Sequence, residues 1–382
     1  MRASEYELTP GAPCFSRSLR EGGLLGPWLK GGIVFRSQMH LTNMLRASLQ
    51  VLALLLAFQC ATAQQEPGFT SQANLVPVPT LVRDRNGNAV YGLHAQDFII
   101  EDDGVEQPIG LEEAAEAQPI SLVVAVQTGR RANREFGKLT GLSSMLDPVL
   151  SDPNNEAAVV FFDSKLNLAR EFTNHADLIE ADLTSPPAGD GGAAILDAVA
   201  YSVRLLARRS DGRQRVLLLI SETRDHGSHF SKLDDAVRLI GSTNTLVYAL
   251  PFSPYVSQQL DAARGNNREE WSPNMDILEK LAAARQAMEK NTPKELASMT
   301  GGEYELFNTR KGFETDLTSF ANHLHSRYRL SFEPKHPHPG LHQIRVRLKS
   351  PTQNGTVLFR SSYWVGEQGE PVSDSVNRLR PQ

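Results

Sequence analysis

The sequence predicts an α/β protein with a doubly wound, mostly parallel sheet, accompanied by a small accessory β unit drawn from segments near both ends. Three observations predict it. Continuous apolar runs at 122–126, 157–162, 216–220 and 245–250 have the length and make-up of strands buried on both faces. Helical stripes lie between them: Ile195, Leu196, Val199, Val203 and Leu206 mark one, and Leu233, Val237 and Ile240 another. Outside this block, residues 75–110 and 328–364 read as short strands broken by turns.

Composition narrows the function classes. The 382 residues leave room for two compact domains, and 40% hydrophobic with 22% charged residues is ordinary for a globular chain. A net charge of -5 lacks the basic face of a dedicated nucleic-acid binder, so no nucleic-acid partner is expected. Arg204, Arg208, Arg209, Arg213 and Arg215 do cluster, but they flank a helix end, where cations suit the dipole and a solvated face suffices.

In chain order, residues 1–43 are rich in Gly, Arg and Ser and resemble neither a signal nor a domain; they read as an extension upstream of a start at Met39 or Met44. Residues 44–63 have the three parts of a secretory signal: Arg46, a mostly apolar run over 49–58, and Ala61-Thr62-Ala63 before Gln64. The run is too short for a comfortable permanent span, although retention as an anchor stays open. Cys14 and Cys60, the only cysteines, both precede Gln64, so a chain cleaved there has no thiol chemistry and no disulfides. A secreted protein, periplasmic or extracellular, is expected.

Residues 64–74 are a polar linker, and an N-terminal β unit follows over 75–118. Pro77 and Pro79 alternate with Val76 and Val78, which predicts an edge strand or an extended lead-in. Residues 84–88 form a turn cluster, 98–100 a second strand, and Asp103-Gly104 a tight hairpin turn. The main α/β block spans 119–326, with residues 166–172 as a candidate antiparallel edge strand. Within it, 254–292 reads as an insertion whose second half carries a helical pattern. Helices are expected at 293–299, ending at Gly301-Gly302, and at 313–324. The C-terminal β segment covers 327–366, and Ile344, Val346 and Leu348 alternate there with Arg345, Arg347 and Lys349.

In an open α/β sheet, ligands bind beyond the carboxyl ends of the strands. Three loops converge there, starting at Gln127-Thr128-Gly129-Arg130, Asp190-Gly191-Gly192-Ala193 and Ser221-Glu222-Thr223. The segments LVVAVQTGRR (122–131), GDGGAAILDAVAYSVRLL (189–206), RQRVLLLISETRDHGS (213–228), RYRLSFEP (327–334) and HQIRVRL (342–348), in that order, resemble the von Willebrand factor type A fold. The likeness is strongest to the von Willebrand-related proteins of acidobacteria, whose leading β segment 78–109 also resembles, and it covers about 75–365. It implies a secreted protein–protein binding module and no catalysis. A non-catalytic scaffold or maturation factor for an envelope complex is the alternative, followed by a hydrolase using Asp225 and His226.

The family's metal-ion-dependent adhesion site uses an Asp and two Ser in the first loop, a Thr in the second and an Asp in the third. Carried over, the resemblance places Gln127 at the first Asp, Gly129 and Arg131 at the two Ser, Ala193 at the Thr and Glu222 at the last Asp. Hard divalent cations want several oxygen ligands, so a degenerate site with no metal and no cofactor is expected. Either Arg130 or Arg131 fills the vacated pocket, paired with Glu222 or Asp190, or an arginine merely stands over a dead site. The partner-binding candidates are therefore Gln127, Thr128, Gly129, Arg130, Arg131, Asp190, Gly192 and Glu222, facing an unknown protein.

Other constellations read as solvated surface. His336, His338 and His342 lie in a Pro- and Gly-rich turn, and His323 and His325 are two apart on a helix. Adjacent carboxylates such as Asp102-Asp103 are expected to point apart. No G-x-S-x-G elbow occurs, and Gly189-Asp190-Gly191-Gly192 lacks the Lys and Ser/Thr of a phosphate loop.

Overall fold

The structure is a computed structural model that describes residues 75–112, 118–129, 132, 135, 142–209, 212–252, 275–350 and 355–366. The expected upstream extension, the signal segment, the polar linker, Arg130, Arg131 and the first part of the expected insertion lie outside the described residues.

The chain begins with β1 (Val76–Arg83), β2 (Phe98–Asp102), β3 (Val105–Gln107) and β4 (Gly110–Glu112). The central block follows as β5 (Ile120–Gln127), α1 (Leu142–Leu150), β6 (Glu156–Phe162), β7 (Leu166–Thr173), α2 (Ala176–Thr184) and α3 (Ile195–Ala207). It continues through β8 (Gln214–Ile220), α4 (Leu233–Ser242), β9 (Thr245–Ala249), α5 (Ile277–Lys290), α6 (Thr292–Thr300) and α7 (Arg310–Leu324). The last elements are β10 (Tyr328–Phe332), β11 (Gly340–Leu348), β12 (Thr356–Phe359) and β13 (Ser362–Val365).

The four apolar runs form the core of a five-stranded sheet ordered β7-β6-β5-β8-β9. β5 pairs in parallel with β6 and β8, and β8 with β9, while β7 closes one edge antiparallel to β6. Alternation along β5 sends Leu122, Val124 and Val126 to a core with α1, α2 and α7. Val123 and Ala125 face the opposite core, built with α3, α4, α5 and α6. The sheet is therefore doubly wound. Helix α5, in the segment read as an insertion, seats Ala284 and Met288 in this second core.

Two four-stranded sheets, ordered β12-β1-β10-β4 and β13-β11-β2-β3, make up the accessory unit. Val78, Phe98, Ile100, Leu330, Phe332, Ile344 and Val346 meet between them in one buried cluster. The Asp103-Gly104 turn has φ of +48° and +83°, the two left-handed residues of a two-residue hairpin joining β2 to β3.

The proline-bearing strand corrects the expectation of an edge: β1 lies between β10 and β12. Its partners divide the strand, with β10 pairing along Val76 to Thr80 and β12 from Thr80 to Arg83. Pro77 and Pro79 are two apart, so their missing N–H groups lie on the same side, and β12 joins only beyond them.

Arg209 and Arg213 also depart from the solvated reading. Arg209 forks onto Glu156 with two bonds of 2.7 Å, and Arg213 adds a contact of 3.3 Å to the same carboxylate. Among the described residues, no helix is long and apolar enough to cross a membrane.

Candidate functional site

At the carboxyl edge of the central sheet, Gln127 ends β5 and is 2% exposed. Its Oε1 accepts the Glu222 N–H at 2.8 Å, which fixes the orientation of the amide. Nε2 then donates to Glu222 Oε1 and to the Gly192 carbonyl, each at 3.3 Å. The other oxygen of Glu222 meets His226 Nε2 at 3.0 Å. Three loops are tied together by this one chain of polar contacts.

The first loop turns sharply. Thr128 donates its N–H to the Phe162 carbonyl at 2.7 Å, and Gly129 follows at φ +109° against the Asp190 backbone. A Cβ at Gly129 would run into the Asp190 carbonyl oxygen, so both the dihedral and the close approach require glycine. Asp190 is itself engaged: Ser164 Oγ donates to Oδ2, and Gly192 N–H to Oδ1 at 2.7 Å. The Ser164 hydroxyl, followed by the Gly192 amide, holds the Asp190 carboxyl below its ordinary range.

The third loop runs on from Glu222 to α4 and is pinned by α3. Asp197, in the first turn of α3 and 2% exposed, accepts the N–H groups of His229 at 2.8 Å, Phe230 at 3.2 Å and Ser231 at 2.6 Å. Asp225 Oδ1 accepts Leu196 N–H at 3.0 Å and the Ser228 hydroxyl at 2.6 Å. The Phe230 ring stands out from this braced backbone, 53% exposed.

The sequence-selected residues therefore do assemble. Gln127, Thr128, Gly129, Asp190, Gly192 and Glu222 share one edge, with Gln127, Thr128, Gly129 and Glu222 buried and Asp190 exposed. Phe230 and Asp197 were not among them; a lone aromatic in a polar loop was the available signal.

The donor set does not fit the cation that the resemblance implies. Gln127 presents an N–H₂ group where a carboxylate is needed, its oxygen is already used, and Ala193 offers no side-chain oxygen.

Two histidines and one acidic pair correct the solvated reading. His323 is 6% exposed because Glu303, 20 positions away, meets its Nδ1 at 2.9 Å. Arg327 and Arg83 hold the same carboxylate at 3.2 and 3.3 Å. His342 is 1% exposed, and Asp102 and Asp103 converge on it instead of pointing apart. The cause is the left-handed Asp103, which breaks the strand alternation assumed from sequence.

Neither a protein-family model nor a curated protein matches the chain. Solved structures do resemble it. They include von Willebrand factor A domains. One similar structure is the conserved hypothetical protein BatB from Bacteroides thetaiotaomicron, at 15% identity and TM-score 0.35, covering 53% of this chain and 98% of that one. Another is the SpRpn10 VWA domain, at 10% identity and TM-score 0.29, covering 43% and 94%. A third is the vWF domain of the type V pili tip protein Mfa5 from Porphyromonas gingivalis, at 12% identity and TM-score 0.26, covering 29% and 40%.

Proposed function

We propose that this chain is an exported, non-catalytic protein–protein binding module of von Willebrand type A class that meets its partner at the strand-end loops without a bridging cation. Phe230 is the observation that carries the reading: an exposed aromatic ring on a backbone fixed by three N–H groups donating hydrogen bonds to a buried carboxylate. A rigid aromatic loses little conformational entropy on docking, and aromatic residues, Phe included, are enriched at protein interfaces. Asp190 lies at the same edge and adds an exposed negative charge, while buried Gln127, Thr128, Gly129 and Glu222 hold the loops in shape. Arg130 or Arg131 is assigned the positive charge that replaces the cation. Export is supported by the signal-like segment 44–63.

Absence of a bridging ion is supported by the Gln127–Glu222–His226 chain, whose polar atoms satisfy one another. A non-catalytic role is supported by Ser228 and Asp225, which bond each other and the first turn of α3 while His226 turns to Glu222.

Crosslinking in the native envelope, followed by capture and mass spectrometry, tests the surface. The crosslinked species is expected to be lost in Phe230→Ala and reduced in Asp190→Ala. Equal yield from both variants and the unaltered chain would remove these loops as the binding surface. Calorimetric titration with Mg²⁺ and Mn²⁺ tests cation independence, and stoichiometric binding abolished by Glu222→Ala would overturn it.

A further inference from the structure

We propose that the sandwich carries a second site, for a divalent transition metal matched best to zinc, with His342 Nδ1, Asp103 Oδ2 and His338 Nε2 as ligands and Asp102 Oδ1 at a fourth position. The site is independent of the strand-end reading above.

Three buried atoms turned toward one another carry the proposal. His342 Nδ1, Asp102 Oδ1 and Asp103 Oδ2 are each sealed from solvent, and their polar contacts are with this cluster alone. They face one another: Nδ1 lies 3.0 Å from Asp103 Oδ2 and 3.4 Å from Asp102 Oδ1, and His338 Nε2 lies 3.6 Å from Asp103 Oδ2. In a tetrahedral zinc site with bonds near 2.0–2.1 Å, ligand atoms sit ~3.3 Å apart. The observed separations bracket that edge. The ligand atoms of Asp103, His338 and His342 all fall within 4.8 Å of one another.

The surroundings prepare these atoms for a metal. His342 Nε2 lies 2.7 Å from the His338 carbonyl, which can only accept, so Nε2 carries a proton and Nδ1 is the atom turned to the two carboxylates, where a metal would take the place of a proton. Each carboxylate has its other oxygen occupied. Asp102 Oδ2 takes the Tyr363 hydroxyl at 2.9 Å, while Asp103 Oδ1 takes Gln343 N–H at 3.0 Å and the buried Lys280 ammonium. Such outer contacts orient ligands and leave one oxygen of each free to coordinate. Tyr363 stacks on the His342 ring at 4.6 Å and fixes its plane. His338 also stacks on the His342 ring, at 4.1 Å, and is half-exposed, with its Nε2 on the Asp103 side of the cluster. An open cavity of about 550 Å³, lined in part by Asp103, Lys280, Ile277 and His338, gives the ion a way in. Imidazole with carboxylate suits zinc better than magnesium or calcium, which prefer oxygen alone.

The whole chain, stripped with EDTA and dialysed, is titrated with ZnCl₂ against a chromophoric chelator, with MgCl₂ in parallel and CoCl₂ as a spectroscopic probe. One Zn²⁺ per chain is expected, no Mg²⁺ binding at this site, and visible Co²⁺ bands of a four- or five-coordinate ion. His338→Ala, at a half-exposed position, and Asp103→Asn, tolerant of the left-handed turn, are each expected to weaken binding by at least ~10-fold. Glu222→Gln should leave it unchanged. Lack of stoichiometric zinc would mean a protonated imidazole between two carboxylates and overturn the proposal. Equal affinity in the His338 and Asp103 variants would do the same. Zinc lost only in Glu222→Gln would move the ion to the strand-end loops, overturning this proposal and the cation-independent reading together.

Discussion

Replacing Asp197 by Asn keeps the size of the side chain and removes its charge. In the folded chain, Oδ1 accepts Ser231 N–H at 2.6 Å and Phe230 N–H at 3.2 Å, while Oδ2 accepts His229 N–H at 2.8 Å. An Asn oxygen can take the place of Oδ1, but its amide nitrogen then faces the His229 N–H, donor against donor. One charge-assisted bond is lost, at about 1.5–3 kcal/mol, and a donor is left unsatisfied, at about 1–3 kcal/mol. The site is 2% exposed, so water cannot easily relieve the conflict. Together these come to about 2.5–6 kcal/mol, and for a domain of this size Tm should fall on the order of 10 °C. Calorimetry and urea unfolding measure the loss. Hydrogen exchange should rise most at residues 229–231, and partner capture through Phe230 should weaken with it. A stability change under about 1 kcal/mol, with the 229–231 amides still protected, would refute the claim that this carboxylate braces the loop.

Three further substitutions probe other parts of the design. Gly129→Ala should cost about 2–3 kcal/mol in urea unfolding, since the side chain meets both an unfavourable φ and the Asp190 carbonyl. Arg360→Met should cost about 2–4 kcal/mol, because buried Arg360 donates to the carbonyls of Gly241 at 2.6 Å, Ser362 at 2.9 Å and Pro77 at 3.3 Å; an unchanged urea midpoint would contradict this. Asp316 is pushed up to about 6 by burial and then by Glu305, so the folded state holds its proton more tightly than the unfolded chain. Stability from this group is complete below about pH 4 and is lost as pH rises through 6. Asp316→Asn should then stabilise by about 1 kcal/mol at pH 8, allowing for solvent screening, and change nothing at pH 4 in paired thermal melts.

The central sheet was legible because strands buried on both faces are apolar without interruption, and β5, β6, β8 and β9 are all of that kind. Helices α1 and α2 were not read. Pro148 inside α1 reads as a helix break even though Leu142, Leu146, Val149 and Leu150 keep helical spacing, and α2 buries only Ile179. The edge loops were legible from the strand ends, since Gln127 directly follows one apolar run and Glu222 stands one residue beyond another. What escaped depends on partners distant in sequence. Nothing near His342 reveals that Asp102 and Asp103 lie against it, and nothing near His323 announces Glu303. The proline strand misled because sequence cannot show that β10 and β12 pair with different halves of β1.

The sandwich has a consequence for how the chain is made. Val76 pairs with Phe332, and Asp103 bonds Gln343 across 240 positions, so β1 and the edge of β2 not paired with β3 wait for almost the whole polypeptide before they acquire neighbours. Until those partners are made, these strands present bare edges and apolar side chains. The layer that forms last is also the layer holding His342. A chain cut short before β11 would thus leave Phe98 and Ile100 of β2 without Ile344 and Val346, and the apolar cluster between the two accessory sheets uncovered.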